Sequence, residues 1–360
     1  MSASNNYCVI MAGGIGSRFW PMSTQKYPKQ FQDILGTGRT MIQQTYDRIS
    51  RIIAPENIFV ITNREYTTLT EQQLPDLPAE NIVGEPMMKN TAACNVFMAK
   101  KIAALHPDAN LIVLPADHLI LKEDAFLEKA RLALNLAAEN DYLITLGIQP
   151  TRPETGYGYI QFVPTDEQEY YKVKTFTEKP NLEFARTFLE SGDFLWNAGI
   201  FIWNVKSILA AFSEFLPEIS QQFDSCEYNS DSEEACIDLI YPTVNKISID
   251  NGILEKARNV YVIPADVGWS DLGTWTSIYE NAAKDEHQNA TKSRHILTYN
   301  SKGNIIKLKN KNKAAVIDGL KNYIIVDTDK ALLICPREND QLIKDYVQDL
   351  KTMKKGEKFL

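Results

Sequence analysis

The sequence has little that would suit a secreted, membrane-bound or nucleic-acid-binding protein. Its five cysteines, at positions 8, 94, 226, 236 and 335, are odd in number and scattered, with no CxxC pair. They outline neither a disulfide framework nor a zinc site and fit a reducing, cytoplasmic setting. No run of about 18 apolar residues occurs, and MSASNNYCVI at the start lacks a basic segment followed by an apolar one, so neither a membrane span nor an export signal is expected. Net positive charge is also missing. The formal charge of −8 repels nucleic acid and anionic membrane surfaces, so an anionic ligand has to be met locally. Two nucleotide signatures are absent as well. Without GxxxxGK[ST] a P-loop ATPase is disfavoured, and without GxGxxG, whose register holds Gly14, Gly16 and Phe19, so is a dehydrogenase.

What is present is the composition of a soluble globular enzyme: 360 residues, 44% hydrophobic and 23% charged, enough for a large domain and a smaller one. Short apolar runs at Cys8–Met11, Ile58–Ile61, Leu111–Leu114 and Tyr142–Ile148 alternate with the amphipathic stretches Thr40–Ile52, Asn90–Leu105 and Asp124–Ala138. That alternation predicts βαβ units and an α/β fold with a Rossmann-like mixed, mostly parallel sheet flanked by helices. From Tyr157 the aromatic stretches YGYIQF, YYKVKTF and WNAGIFIW predict an antiparallel extension, and the acidic region Ser207–Tyr241 a solvated helical cover. After about Asn289, HILTYNS, GNIIKLKN, KAAVIDG, NYIIVDT and KALLICP read as brief strands of a small β-solenoid or β-roll, closed by a helix near Glu338–Met353.

The chemistry-bearing stretches begin with MAGGIGSRFWPMSTQKYPKQF, residues 11–31, directly after the apolar run Tyr7–Ile10. A strand, then glycines, then a helix lets backbone N–H groups approach an anion while the helix N-terminus adds its dipole. A tight turn that needs glycine is the other reading of the same residues. Arg18, a planar fork, and Lys29, a point charge, suit a triphosphate. LIVLPADH, residues 111–118, carries Asp117 and His118 to the carboxyl end of a strand, the edge at which open α/β sheets bind ligands. Asp117 suits Mg²⁺, which takes one or two carboxylates with phosphate oxygens and water, or a helix cap; His118 reads as a structural hydrogen-bonding group. In DVGWSDLGTW, residues 266–275, either Asp266 or Asp271 would complete a metal site if the fold brings it to Asp117. ETGYGYI, TEKP and WNAGIFIW supply Glu178, Lys179 and Asn197, a mixture that suits a phosphorylated sugar and equally ordinary sheet surface.

Standing in one order, MAGGIGSRFWPMSTQKYPKQF, EPMMKNTAA, LPADH, TEKP with WNAGIF, and DVGWSDLGTW resemble the sugar-1-phosphate nucleotidylyltransferases, most closely the mannose-1-phosphate guanylyltransferases. The resemblance covers about residues 7–280, and DGLKNYIIVDTDKALLICP is similar to the family's carboxyl-terminal β segment. It implies a nucleotide-diphospho-sugar transferase fold, with a catalytic domain over residues 1–288 and a short β-helix segment with a terminal helix over 289–360. It also implies a reaction: a phosphate oxygen of mannose 1-phosphate attacks the α-phosphorus of GTP in line, giving GDP-mannose and pyrophosphate with no covalent enzyme intermediate.

Carried over by position, Ala12, Gly13, Gly14 and Gly16 shape the nucleotide loop, and Arg18 and Lys29 hold the triphosphate. Glu85, Pro86, Asn90 and Thr91 read the guanine edge. Asp117 and Asp271 bind Mg²⁺, while Gly156, Glu178, Asn197 and Asp250 recognise mannose hydroxyls and Lys179 pairs with the sugar phosphate. The sequence departs from the family in having Ala93 and Cys94 after NTA, where proline is commoner, and Asn251 in place of an aromatic. These changes are expected to loosen the turn beside the base pocket and to alter the sugar pocket. Many bacterial relatives continue into a cupin-type isomerase domain; with four histidines and an end at Leu360, transferase activity alone is expected here. A homodimer through the C-terminal segment is a further implication. Two alternatives stay open: the same chemistry with another sugar 1-phosphate or nucleotide, and a non-catalytic sugar-nucleotide-binding subunit.

Overall fold

The computed structural model describes residues 5–164, 169–293, 295–310 and 312–360. They form two compact units, one built from the chain up to Gly13, Thr45–Ala116 and Ile120–Trp269, the other from Gly14–Gln44, Asp117–Leu119 and Ser270–Leu360. Among the described residues, no helix is long and apolar enough to cross a membrane.

In chain order the first strands are β1 (Asn6–Met11), β2 (Ile58–Asn63), β3 (Ile82–Glu85), β4 (Asn110–Pro115), the two-residue β5 (Leu119–Ile120), β6 (Leu143–Ile148), β7 (Tyr159–Phe162), β8 (Tyr171–Thr177), β9 (Phe194–Asn204) and β10 (Val260–Pro264). The first unit holds a nine-stranded sheet in the order β3-β2-β1-β4-β9-β6-β10-β8-β7. β1 lies parallel to β2 and β4, with Ile10 opposite Val60 and Leu114. Cys8, Val9 and Ile10 are buried on both faces of the sheet, which is why β1 reads as an unbroken apolar run. Of the nine strands, β8 and β9 run against the direction of the rest.

This agrees with a Rossmann-like mixed sheet but corrects one expectation. WNAGIFIW is not part of a peripheral extension. It lies in β9, at the centre of the sheet, antiparallel to both β4 and β6. Its aromatics Trp196, Phe201 and Trp203 are buried filling under the helical layers, and β7 and β8 alone make the antiparallel edge.

A second correction concerns the helix Thr91–Leu105, expected to be amphipathic. It is buried from Ala92 to Ala99 and again at Lys101 and Ile102. Sheet residues Val9, Phe59 and Val113 pack with it, and the helices Val205–Phe215 and Pro217–Asp224 supply Ile208, Phe212, Ile219 and Phe223 to the same core. A helix covered all round needs no polar face, so Ala93 and Cys94 continue it without loosening the turn. The acidic region is helical as expected, although its apolar faces are core rather than solvated. The expectation of no disulfide is also overturned: Cys226 and Cys236 are bonded, while Cys8, Cys94 and Cys335 are free and buried. The pairing arises because the chain turns back between the helices Pro217–Asp224 and Glu233–Ile240, which spacing alone did not reveal.

The second unit contains β11 (Trp269–Ser270) at its border, then β12 (Ile296–Tyr299), β13 (Ile305–Leu308), β14 (Ala315–Asp318), β15 (Tyr323–Asp327) and β16 (Leu332–Pro336). β12 pairs parallel with β14, and β13 parallel with β15, which in turn pairs antiparallel with β16. Ile305, Ile324, Val326 and Leu333 from these strands share one core with Phe19, Trp20 and Ile34 of the glycine-rich loop and with Trp275. The loop therefore rests on the C-terminal strands. Lys307 strengthens this: its Nζ donates to the Ile34 carbonyl at 3.0 Å, and burial lowers its pKa.

Candidate active site

After the glycines the chain does not enter an α-helix. Ser17–Phe19 form a single 3-10 turn, and the first α-helix starts at Met41. Trp20 precedes Pro21 and is extended, with ψ at 140°, because a residue before proline is held away from helical angles. The expected helix dipole at this loop is therefore absent. Ala12 is also not a phosphate donor, since its N–H donates to Ile61 O at 2.8 Å and its carbonyl accepts from Thr62 Oγ1 at 2.9 Å. A Cβ on Gly14 would meet nothing within 4 Å. Gly16, at φ 68°, serves the packing of the loop instead, since a Cβ there would lie 2.5 Å from Lys29 Cβ. The glycine lets the loop fold against Lys29, whose N–H donates to Ile15 O at 3.4 Å while Ser23 Oγ donates to the same carbonyl at 2.5 Å.

Lys29 is the centre of the second unit's polar cluster. It is 3% exposed, and its Nζ donates to Asp117 Oδ2 at 2.9 Å and to the Asp271 carbonyl at 2.7 Å, 5.3 Å from the centre of the Phe19 ring. Burial works to raise the Asp117 pKa, but the charges of Lys29 and His118 and the Lys29 hydrogen bond outweigh it and hold the carboxyl below its usual range. His118 thus acts as charge as well as structure. The Asp271 carboxylate accepts from Gly273 N at 2.9 Å, which fixes the turn that carries it. Arg18 is exposed on its 3-10 turn, and among the described residues nothing pairs with its guanidinium.

These donors fit a divalent cation. Asp117 and Asp271 offer hard oxygens beside one ammonium, and among the described residues no cluster of three or more His, Cys, Asp or Glu could hold a metal alone. A two-carboxylate set of this kind suits Mg²⁺ that takes its remaining ligands from phosphates and water. Asp266 does not belong to the set, being exposed and ion-paired with Lys122 at 2.5 Å.

In the first unit, Glu85 ends β3 and is 6% exposed. Burial pushes its pKa up to about 7, against the lowering effect of a hydrogen bond from Tyr241 Oη at 2.8 Å. Pro86 and the exposed Met87 and Met88 follow it. Asn90, at φ 68°, caps the helix Thr91–Leu105 by accepting from Thr91 N at 2.8 Å. Thr91 Oγ1 accepts from Ile249 N at 2.8 Å and Ala92 N donates to Ile247 O at 3.1 Å. Asn90 and Thr91 thereby tie the segment before Asp250 to the start of that helix.

The same unit gathers Glu178, Lys179, Asn197 and Asp250. Asn197 Oδ1 accepts from Thr145 Oγ1 at 3.1 Å and from Gly199 N at 3.0 Å, so its Nδ2 is the atom that donates to Asp250 Oδ1 at 3.0 Å. Burial, then the charge of Glu178, push the Asp250 pKa up to about 6, while Lys179 and Asn197 work the other way. Glu178 is ion-paired with its neighbour Lys179, which sits at φ 48°. Gly156 is exposed, its N–H donating to Glu154 Oε1 at 3.1 Å. The glycine beneath the cluster is instead Gly158, where a Cβ would lie 2.6 Å from Glu178 Oε2. Asn251 hydrogen-bonds Ser248 and Glu255 at the surface and leaves the cluster unchanged. Sequence reasoning missed Tyr241, Thr145 and Gly158; for Gly158 the doubled glycine of ETGYGYI was a usable signal.

A mixed α/β sheet, a glycine-rich loop after its first strand and a buried lysine between two aspartates define a nucleotidyltransferase, and the Nucleotidyl transferase family model matches residues 7–288. A Klebsiella pneumoniae mannose-1-phosphate guanylyltransferase is 36% identical over 357 residues, 97% of this chain and 74% of that protein. One from Escherichia coli K12 is 34% identical over 372 residues, 98% of this chain and 74% of that protein. Among solved structures, a Thermus thermophilus protein called mannose-1-phosphate geranyltransferase superposes with a TM-score of 0.84 at 27% identity, over 97% of this chain and all of that one. The chain belongs to the mannose-1-phosphate guanylyltransferase family.

Proposed function

We propose that this chain transfers GMP from GTP to α-D-mannose 1-phosphate, giving GDP-mannose and pyrophosphate. The observation that carries the reading is Lys29, a buried ammonium aligned by Asp117 and the Asp271 carbonyl. In-line attack between two phosphates needs positioning and neutralised charge more than covalent chemistry. Lys29 and Arg18 meet the triphosphate, with Gly13, Gly14 and Gly16 leaving room for it. Glu85, Pro86, Asn90 and Thr91 line the guanine site. Glu178, Asn197, Asp250 and Gly156 address mannose hydroxyls, and Lys179 meets the sugar phosphate. Asp117 and Asp271 would hold Mg²⁺, which neutralises phosphate charge when bound.

The division into a catalytic domain, residues 1–288, and a C-terminal segment, residues 289–360, belongs to the proposal. So does a short β-helix in that segment, supported by Ile296 facing Ala315 and Ile305 facing Ile324 at the same offset along the chain. A homodimer through this segment and a cytoplasmic setting, where GTP is supplied, complete the reading.

Pyrophosphate release measured over a panel of nucleotides and sugar phosphates tests it. GTP with mannose 1-phosphate is expected to be the preferred pair, and a preference for UTP with glucose 1-phosphate would replace it. Binding of GDP-mannose with no Mg²⁺-dependent turnover would instead indicate a regulatory subunit.

A further inference from the structure

Tyr241 is fully buried and reaches Glu85 from the turn Tyr241–Thr243, far along the chain. Its ring is held edge-on by Phe97 and Phe223, at centroid distances of 6.3 and 5.7 Å. Its hydroxyl donates to Glu85 Oε1 at 2.8 Å. The second carboxylate oxygen, Oε2, lies 3.7 Å from the point a Gly13 Cβ would occupy. The other titratable group facing the carboxyl is the Cys94 thiol, kept neutral by burial and by the charge of Glu85. Glu85 is thus anchored through one oxygen by a donor that has a single proton to give.

The state of the carboxyl matters because a protonated carboxyl donates as well as accepts, whereas an ionised one only accepts. Guanine presents two donors on its Watson–Crick edge, the ring N–H and the exocyclic amine. Hypoxanthine presents only the ring N–H. A reader that only accepts favours the base with both donors, and a reader able to donate loses that preference.

Resting on the guanylyl reading above, we propose that Tyr241 is a positioning residue that anchors Glu85 as an acceptor-only reader and so sets the preference for GTP over purine triphosphates lacking the 2-amino group. Burial raises the Glu85 pKa to about 7 and the Tyr241 hydrogen bond opposes that rise. Removing the hydroxyl moves the carboxyl further up, so the acceptor-only state begins to fail at a higher pH.

Steady-state kinetics of wild type and Tyr241→Phe with GTP and with ITP, at saturating mannose 1-phosphate across the neutral pH range, test this. For Tyr241→Phe the KM for GTP is expected to rise about fivefold with kcat little changed, and the GTP over ITP preference to narrow. The fall of kcat/KM for GTP on the acid side should start at a higher pH than in wild type. An unchanged preference and an unmoved acid limb, even with a lower melting temperature, would reduce Tyr241 to packing and overturn the proposal. If Tyr241→Phe does not fold, protein labelled throughout with 3-fluorotyrosine, a stronger phenol donor, should show its acid limb at lower pH, and an unmoved limb overturns the proposal equally. Failure of wild type to use GTP at all, with turnover of UTP, overturns the guanylyl reading itself and is seen before any variant is made.

Discussion

Gly16 and Lys29 meet so closely that no side chain fits between their backbones: a Cβ on Gly16 would stand 2.5 Å from Lys29 Cβ. The glycine of this loop that the structure most needs is therefore the one that clears space for a lysine, with the anion-facing role left to its neighbours.

Gly16→Ala is expected to cost about 1–2 kcal/mol for its left-handed backbone alone and to displace Lys29 as well. Turnover should fall at least about tenfold, as expected when a catalytic charge is misplaced by an ångström or so. Gly14→Ala is the contrast, because a Cβ there meets nothing within 4 Å. Its melting temperature should match wild type, so any loss of GTP affinity reports on the ligand directly. Thermal melts and GTP titrations of both variants check this.

Lys29→Ala should lower kcat by about 10²–10³-fold, the size seen when one preorganised charge is removed. Lys29→Arg should not restore it, since a planar fork cannot place one point charge between Asp117 Oδ2 and the Asp271 carbonyl. Single-turnover rates with both variants decide the point, and a near-normal Lys29→Arg rate would show that only net charge matters.

Asp271→Ala removes the carboxylate but keeps the backbone carbonyl that Lys29 uses. The visible structural loss is the bond from Gly273 N, about 1 kcal/mol. Turnover should be abolished while far-UV circular dichroism and the melting curve stay close to wild type. Full activity in Mg²⁺ would mean the second carboxylate ligand lies elsewhere.

Asp250 has a folded pKa of about 6 against an ordinary value of 3.8. A raised acid favours the fold in its neutral form, so its contribution is fully present below about pH 4 and is lost as pH rises through about 6. Asp250→Asn keeps an oxygen for the Asn197 amide and carries no charge. It is expected to raise stability above pH 6 by at most about 3 kcal/mol and to change nothing below pH 4. Denaturant melts at both ends of the range provide the comparison.

Thiol titration of the unfolded, unreduced protein should find Cys8, Cys94 and Cys335 reactive and leave Cys226 and Cys236 silent until a reductant is added. Reduction should lower stability by roughly 2–3 kcal/mol, the scale for closing a short loop.

Strands β1, β2, β4 and β6 were legible in the sequence because buried parallel strands are unbroken apolar runs, and Lys29, Asp117 and Asp271 because their motifs are local. Other features depend on distance along the chain. Tyr241 meets Glu85 from 156 positions away, and Thr145 orients Asn197 from an adjacent strand. Neither has a local signal, since a buried tyrosine or threonine looks like core. The aromatics of β9 read as edge for the same reason: a pattern of large residues reports burial and says nothing of position in the sheet. Asp266 and Asp271 were equal candidates until the fold gave one to Lys122 and the other to the turn beside Lys29.

The central position of β9 has a consequence for how the chain is made. Until residues 194–204 have left the ribosome, β4 and β6 each present an open edge to whatever is nearby. Open edges of that kind invite pairing with other chains, and the strand that closes both arrives only after more than half of the protein has been synthesised. A nascent chain stalled before β9 would therefore be the most adhesive species in the life of this protein, and the segment that ends that exposure also carries Asn197 into the site.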